Sequence, residues 1–148
     1  MPVAVKVVSY SSLKSKVSHQ LLKNEISILK ELNHENVIRC HDVFSSKNNC
    51  YIVTDYYGKG DLEKALFKKQ KFQEKEVETL IFEVYKGLIY LNQKGIVHRD
   101  FKLANIFVDH SGKPKIADFG FAIKNYQPFK DINIGSPIYM SPEGMLLH

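Results

Sequence analysis

Residues 96–108 gather charged and amide side chains between two short apolar runs and read IVHRDFKLANIFV. Asp100 can accept a proton from a hydroxyl, and Lys102 can neutralise an anion beside it. The amide oxygen of Asn105 can bind a hard cation. Because Mg²⁺ takes oxygen ligands and commonly bridges to phosphates, we expect a second carboxylate close to this loop.

Asp118 can supply that carboxylate, eighteen residues after Asp100. It follows the apolar run PKIA and precedes Phe119 and Gly120, and the glycine permits a backbone bend. A single Asp-Phe-Gly tripeptide can also be an ordinary surface loop. The two polar loops together favour a joint site.

Lys6 and Glu25 are two charged residues on faces that otherwise look apolar. Lys6 shares one face of a β-branched run with Ala4 and Val8, and Glu25 lies on the apolar side of a helical pattern. A lone buried charge is very costly, so the two are candidates for an ion pair. Alternatively, Lys6 extends to solvent from an edge strand and Glu25 lies at the boundary of its face.

The elements that must position these residues follow from hydrophobic periodicity and turn signals. The expected strands of the N-terminal part are residues 3–8, 36–44 and 50–55, the last two joined by the turn SSKNN. The expected amphipathic helices are residues 17–32 and 77–91. Ser15 or Ser18 should begin the first, Gly95 should end the second, and a short helix should start near Asp61. Short strands that carry loops follow, so the order favours an α+β fold.

Composition narrows the range of functions. The 148 residues are 44% hydrophobic and 25% charged, which is typical of one globular domain. The net charge is +5, from 21 basic and 16 acidic residues. Only two of the basic residues are Arg, and this scarcity argues against a nucleic-acid partner. The longest stretch without Asp, Glu, Lys or Arg has 11 residues, so we expect no membrane span, and no secretory signal is readable. Cys40 and Cys50 are too few for a disulfide scaffold or a zinc site, which favours the cytoplasm.

Four motifs, VAVK, HRDFKLAN, DFG and SPE, occur in this order and resemble the signature set of eukaryotic protein kinases over nearly the whole chain. The resemblance implies an enzyme that uses ATP and Mg²⁺ to phosphorylate serine or threonine hydroxyls of a protein substrate. Lys102 after Asp100, and GSPIYM before SPE, resemble the serine/threonine branch. FGFA after Asp118 together with GSPIYMSPE resembles the autophagy-initiating (Unc-51-like) kinases within that branch.

The resemblance implies roles for the residues around the phosphates. Lys6, positioned by Glu25, would hold the α- and β-phosphates of ATP. Asp100 would be the catalytic base, and Lys102 would offset charge on the γ-phosphoryl group. The magnesium ligands would be Asn105 and Asp118.

The same resemblance places the nucleoside. Thr54 would be the gatekeeper, Asp55 to Tyr57 the hinge that contacts adenine, and Asp61 a ribose contact. The residues that would sandwich the adenine are Ala4, Leu62 and Phe107. The residues that would stack into a column between the lobes are Leu29, Cys40, His98 and Phe119.

The chain departs from the family pattern at both ends. No glycine-rich loop precedes the strand of Lys6, and the chain stops shortly after SPE, before the arginine that would pair with Glu143. We therefore expect a partial bilobal kinase-like fold: an N-lobe over residues 1–55, a hinge over 56–60, and a C-lobe over 61–148 through SPE. Apolar surface on the helix over 77–91 should then be uncovered. The alternative function is a non-catalytic kinase-like binding module or an inactive fragment, although the intact catalytic set argues against it.

The activation segment also departs from the pattern. Residues 121–134 contain no Ser or Thr, whereas kinases with an arginine before the catalytic aspartate usually need a phosphate there. Asp131 could provide a fixed negative charge to Arg99, or it could be a solvated loop residue. Tyr126 is another candidate acceptor of phosphate.

Overall fold

A three-stranded antiparallel sheet forms the first part of the chain in the computed structural model, which describes residues 2–124 and 136–140. Its strands are β1 (Val3–Ser9), β2 (Cys40–Ser45) and β3 (Asn49–Asp55), with β3 in the centre. The register of β1 on β3 places Ala4 opposite Thr54 and Lys6 opposite Ile52. Sheet and helices together confirm the α+β class.

The second strand begins four residues later than expected, at Cys40 instead of Asn36. The preceding residues bond to a distant part of the chain: Ile38 N donates to Ile116 O (2.9 Å), and Ile116 N donates to Asn36 O (2.8 Å). This segment therefore links the sheet to the rest of the molecule, and the expectation of one strand over 36–44 was wrong at its start.

Helix α1 (Lys16–Glu31) lies close to its expected bounds. Both candidate serines contribute to its start: Ser15 Oγ accepts from Ser18 N (3.1 Å), and Ser18 Oγ accepts from Ser15 N (3.2 Å). This reciprocal capping box satisfies backbone donors that a helix leaves unpaired at its first turn. The buried face of α1 consists of Leu22, Glu25, Ile28 and Leu29.

Helices α2 (Leu62–Lys69) and α3 (Glu74–Gln93) follow, and α2 begins after Asp61 as expected. Gly95 follows the end of α3 with φ 66°, a conformation that glycine adopts without strain. The spacing of apolar residues over 77–91 predicts a buried face that includes both Ile81 and Leu91. This was partly wrong, because Ile81 is 63% exposed and the buried residues of α3 are Gly87 and Leu91. The exposed apolar side chains of α3 are Ile81, Phe82, Tyr85 and Ile89.

Four short strands follow α3: β4 (Ile96–Val97), β5 (Ile106–Val108), β6 (Pro114–Ile116) and β7 (Ile123–Lys124). β4 pairs with β7 and β5 pairs with β6, both antiparallel. One hydrophobic core joins these ribbons to the first sheet and includes Leu29, Ile52, Leu91, Ile116 and Phe119. Within the described residues, no helix has both the length and the apolar character needed to cross a bilayer.

Candidate active site

A cleft of about 220 Å³ lies between the three-stranded sheet, α1 and the loop after β6. Its charged lining consists of Lys6, Glu25 and Asp118. Its remaining lining residues include Leu29, Ile52, Thr54, Phe107, Ala117 and Phe119. The arrangement combines an apolar chamber with a few convergent charges, which is typical of a small-molecule site.

Lys6 and Glu25 form the ion pair that their apolar faces suggested. Lys6 Nζ lies 2.6 Å from Glu25 Oε1, and the side chains are 49% and 7% exposed, respectively. Both alternatives from the sequence hold in part, because Lys6 does extend from an edge strand while Glu25 is buried. Since the amine remains half-exposed beside the cleft, it can still contact an anion there.

Asp100 is the buried centre of a polar cluster. Its Oδ2 lies 2.9 Å from Lys102 Nζ and accepts from Asn105 Nδ2 at 3.0 Å. Its Oδ1 accepts from Ser136 Oγ at 2.8 Å, and Ser136 Oγ in turn accepts from Lys102 Nζ at 2.8 Å. Three donors thus occupy three of the roughly four acceptor positions of an ionised carboxylate, which leaves room for one more hydroxyl.

These contacts set the protonation state of the cluster. Burial acts to raise the pKa of Asp100, but hydrogen bonds from Lys102, Ser136 and Asn105 outweigh it, so that the pKa lies below its ordinary value. The hydrogen bond to Asp100 raises the pKa of Lys102. At neutral pH both groups are therefore charged.

Backbone contacts hold the two polar loops side by side. Ala117 N donates to Asn105 O (2.9 Å), and His98 Nε2 bonds to Ala117 O (2.9 Å). Asp118 has φ 61° and lies between buried Ala117 and buried Phe119, so its exposed carboxylate turns toward the cleft. A positive φ is costly for a residue other than glycine, and such strain persists only where the surrounding structure enforces it.

Asn105 and Asp118 were the expected magnesium ligands. The amide nitrogen of Asn105 is used by the Asp100 carbonyl (2.8 Å) and carboxylate, so its amide oxygen is not needed as an acceptor in these bonds. Among the described residues, no three His, Cys, Asp or Glu side chains are grouped closely enough to hold a metal on their own. One carboxylate and one amide oxygen nevertheless fit Mg²⁺, which usually keeps several waters and binds substrate phosphates.

Two of the expected nucleoside contacts, Thr54 and Phe107, line the cleft. Ala4 lies opposite Thr54 in the sheet. The Asp55 carboxylate accepts from Tyr57 Oη (2.9 Å) and bonds to His41 Nε2 (2.6 Å), so each of its oxygens has a protein partner. The ring centroid of Tyr57 lies 6.1 Å from that of Phe107.

Asp61, the expected ribose contact, caps helix α2. Its Oδ1 accepts from Lys64 N (2.8 Å), its Oδ2 lies 3.1 Å from Lys64 Nζ, and its side chain is 6% exposed. Burial works to raise the pKa of Asp61, but the bonds from Lys64 lower it overall. Leu62, expected against the adenine, is buried at the first position of α2.

Two site features had no local signal in the sequence. Ser136 contacts Asp100 across 36 positions of the sequence. His41 reaches Asp55 from β2, where the register on β3 shifts between Cys40 and Asp42.

Of the residues expected to stack into a column between the lobes, His98 contacts Phe119 with ring centroids 5.0 Å apart. Arg99 Nε donates to Phe121 O (2.7 Å), whereas Tyr126, Asp131 and the SPE motif lie outside the described residues.

Comparison with known proteins now defines the class. The family model for the protein kinase domain matches residues 1–146, and the chain therefore belongs to the protein kinase family. Its relatives include NUAK family SNF1-like kinase 2 of Rattus norvegicus, 36% identical over 142 residues, which are 95% of this chain and 22% of that protein. CBL-interacting protein kinase 21 of Oryza sativa subsp. japonica is 35% identical over 147 residues, 97% of this chain and 28% of the relative.

A third relative carries the serine/threonine designation in its name. Serine/threonine-protein kinase DCLK3 of Homo sapiens is 34% identical over 144 residues, 95% of this chain and 22% of that protein. The chain thus spans between about a fifth and three tenths of the length of these relatives.

Proposed function

We propose that this chain provides the catalytic centre of a serine/threonine protein kinase, which transfers the γ-phosphoryl group of ATP to a hydroxyl of a protein substrate. The observation that carries the proposal is the Asp100 cluster, in which Lys102, Asn105 and Ser136 fix one ionised carboxylate. Membership of the kinase family and the names of the relatives support the same reaction.

The nucleotide would occupy the cleft. Lys6, held by buried Glu25, would bind the α- and β-phosphates, because its amine is half-exposed next to the cavity. Thr54 and Phe107 would line the adenine pocket with Ala4 beside them. Asp55 and Tyr57 would contribute through the hinge backbone, since the Asp55 carboxylate is already bonded, and Asp61 would lie near the ribose as the cap of α2.

Asn105 and Asp118 would hold Mg²⁺ through one amide oxygen and one carboxylate. When bound, Mg²⁺ neutralises charge that develops on the phosphates during transfer. Asp118 is exposed toward the cleft, and the described structure gives its carboxylate a weak bond of 3.4 Å from Gly120 N. It is therefore available as a ligand without breaking a strong protein contact.

Asp100 would orient the substrate hydroxyl and accept its proton. Its remaining acceptor position is suited to one incoming O–H group, and its lowered pKa keeps it ionised. Lys102 bridges Asp100 and Ser136, so its charge lies where it can offset the transferring phosphoryl group. Positioning and charge neutralisation of this kind account for most of the catalysis in phosphoryl transfer.

Finer assignments accompany this proposal. We propose an N-lobe over residues 1–55, a hinge over 56–60 and a C-lobe over 61–148. The Unc-51-like subgroup rests on FGFA and GSPIYMSPE alone, and none of the three relatives described above has a name from that group. A cytoplasmic location is supported by the two free cysteines, Cys40 and Cys50.

The test combines binding with transfer. The purified chain is heated with ATP in the presence and absence of Mg²⁺, and transfer of labelled γ-phosphate to a generic protein substrate such as casein is measured in parallel. We expect Mg²⁺-dependent stabilisation by ATP and phosphorylation of serine or threonine. Stabilisation without transfer would favour the non-catalytic binding module, and the lack of both would contradict the proposal.

A further inference from the structure

His41, Asp55 and Tyr57 form a hydrogen-bonded cluster at the end of β3 that the reaction chemistry does not use. His41 Nε2 lies 2.6 Å from Asp55 Oδ1, and Tyr57 Oη lies 2.9 Å from Asp55 Oδ2. An ionised carboxylate can only accept hydrogen bonds, so the histidine nitrogen and the tyrosine hydroxyl both act as donors. The Asp55 side chain is 16% exposed, which shields these bonds from solvent.

The backbone is built to bring His41 to this position. Cys40 pairs with Thr54 and Asp42 pairs with Val53, so His41 is an extra residue in β2 without an opposing residue in β3. Such a bulge redirects a side chain that a regular strand would hold on another face. Asp55 N also donates to Arg39 O at 3.1 Å, which ties the end of β3 to the residue before β2.

The cluster reaches the nucleotide cleft through Tyr57. The Tyr57 ring lies 6.1 Å from Phe107, with their planes inclined at 31°, and Phe107 lines the cleft. Burial, and then the hydrogen bond to Asp55, raise the pKa of Tyr57, so its hydroxyl stays protonated as a donor. A fixed hydroxyl leaves the ring with one orientation against Phe107.

We propose that His41, Asp55 and Tyr57 act as a hinge clamp that positions the Tyr57 ring and so determines how tightly, and with what preference, the cleft holds a purine base. The inference rests on the proposed function, since the base in question is that of the nucleotide substrate. Asp55 and His41 are positioning residues, because both act through Tyr57. The clamp contacts Phe107, which the proposed function places at the adenine, so we expect its loss to affect nucleotide affinity and to leave the step at Asp100 intact.

The experiment measures KM and kcat for ATP and for GTP in the full chain with three disrupting variants, Tyr57→Phe, His41→Ala and Asp55→Asn. Tyr57→Phe and His41→Ala each remove one of the two hydrogen bonds, and Asp55→Asn weakens both, so we expect KM for ATP to rise roughly three- to tenfold with kcat within twofold of wild type. The preference for ATP over GTP should fall in parallel. Tyr85→Phe on the exposed side of α3 is the matched control.

Two further variants separate a clamp from independent contacts. His41→Gln keeps a side-chain amide donor and should stay near the wild-type KM, unlike His41→Ala. The double variant Asp55→Asn with Tyr57→Phe should raise KM no more than Asp55→Asn alone, because both substitutions break the same unit. Additive effects, or an unchanged KM in Tyr57→Phe, would overturn the clamp.

A measurement that does not depend on enzymatic activity can test the clamp separately from the kinase assignment. In NMR spectra, the Nε2–H proton of His41 should be protected from exchange, and this protection should disappear in Asp55→Asn. If the proton is protected and the wild-type chain binds ATP without transferring phosphate, the kinase proposal fails, and dissociation constants replace KM in judging the clamp. Absence of protection, or of any binding of ATP, overturns the clamp.

Discussion

Ser136 Oγ lies 2.8 Å from Asp100 Oδ1, and the same oxygen accepts from Lys102 Nζ at 2.8 Å. One hydroxyl therefore bridges the proposed base and the proposed phosphoryl-binding lysine. It orients the carboxylate so that the free acceptor position of Asp100 has a defined direction.

Replacement of Ser136 by Ala should lower kcat about tenfold and leave the affinity for ATP unchanged. A hydrogen bond to a charged group contributes about 1.5–3 kcal/mol, and part of this loss will be recovered by water. Ser136→Thr keeps the hydroxyl and should restore most of the rate, while Ser11→Ala on the exposed surface is the control. A tenfold change in ATP affinity with normal kcat would contradict a role at Asp100.

Substitutions at Asp100 and Asp118 should separate proton transfer from metal binding. Asp100→Asn should lower kcat by roughly 10²–10³ and preserve the Mg²⁺-dependent stabilisation by ATP, because the amide keeps the shape but is a poor base. Asp118→Asn should abolish transfer together with the Mg²⁺-dependent part of that stabilisation. Thermal shifts with ATP, with and without Mg²⁺, measure both effects. Loss of nucleotide affinity in Asp100→Asn would refute the assignment of roles.

Substitutions in the ion pair of Lys6 and Glu25 should affect stability and activity differently. Lys6→Met leaves the carboxylate of Glu25, whose side chain is 7% exposed, without its partner, and should lower the free energy of unfolding by about 1–3 kcal/mol. The lower end applies if solvent at the half-exposed lysine screens the pair. Adding Glu25→Gln should recover much of this stability in urea unfolding but no activity. Lys14→Met, at an exposed lysine, is the control, and recovered activity in the double variant would show that Lys6 does not bind phosphate.

Because of buried His98, we expect the folded protein to lose stability in mild acid. Burial lowers the pKa of His98 overall; the hydrogen bond to Ala117 O and the carboxylates of Asp118 and Asp100 oppose this effect, and Lys102 adds to it. Nδ1 accepts from Asp100 N (3.3 Å) and Nε2 bonds to Ala117 O (2.9 Å), so the ring is neutral and has no place for a second proton. The unfolded chain binds a proton below about pH 6.5, the ordinary value for histidine, whereas the folded chain resists it.

The contribution of His98 is therefore complete above about pH 6.5 and is lost as the pH falls below that value. Unfolding free energies measured between pH 7.5 and 5 should show this slope, and His98→Asn should flatten it. His110→Gln provides a control at an exposed histidine. An unaltered slope in His98→Asn would assign the acid sensitivity to other groups.

Local patterns predicted most of the elements but few of the contacts between them. Periodicity located α1 and its serine cap, and the placement of charges on apolar faces anticipated the bond between Lys6 and Glu25. Local periodicity could not show that residues 36–38 pair with Ile116, since that bridge joins segments nearly eighty positions apart. The contacts of Ser136 and His41 were missed for the same reason. Each depends on how distant segments pack together, and no local sequence pattern marks either residue as a contact.

Gly87 is another residue whose role could not be predicted from local sequence, and it provides a further test. A glycine inside a helix usually lowers the stability of the helix, whereas here it allows close packing. A Cβ at this position would lie 2.8 Å from Ile116 Cδ1 and 3.1 Å from Asn36 O, and that carbonyl already accepts from Ile116 N. Alanine would gain up to about 1 kcal/mol in helix propensity, but overpacking typically costs about 1–3 kcal/mol. We therefore expect Gly87→Ala to lower the free energy of unfolding in urea, whereas Glu78→Ala, on the exposed side of α3, should have little effect. Ile116→Val removes Cδ1, so the double variant should be more stable than the sum of the two single losses, and additive losses would mean that the clash lies with the Asn36 backbone instead.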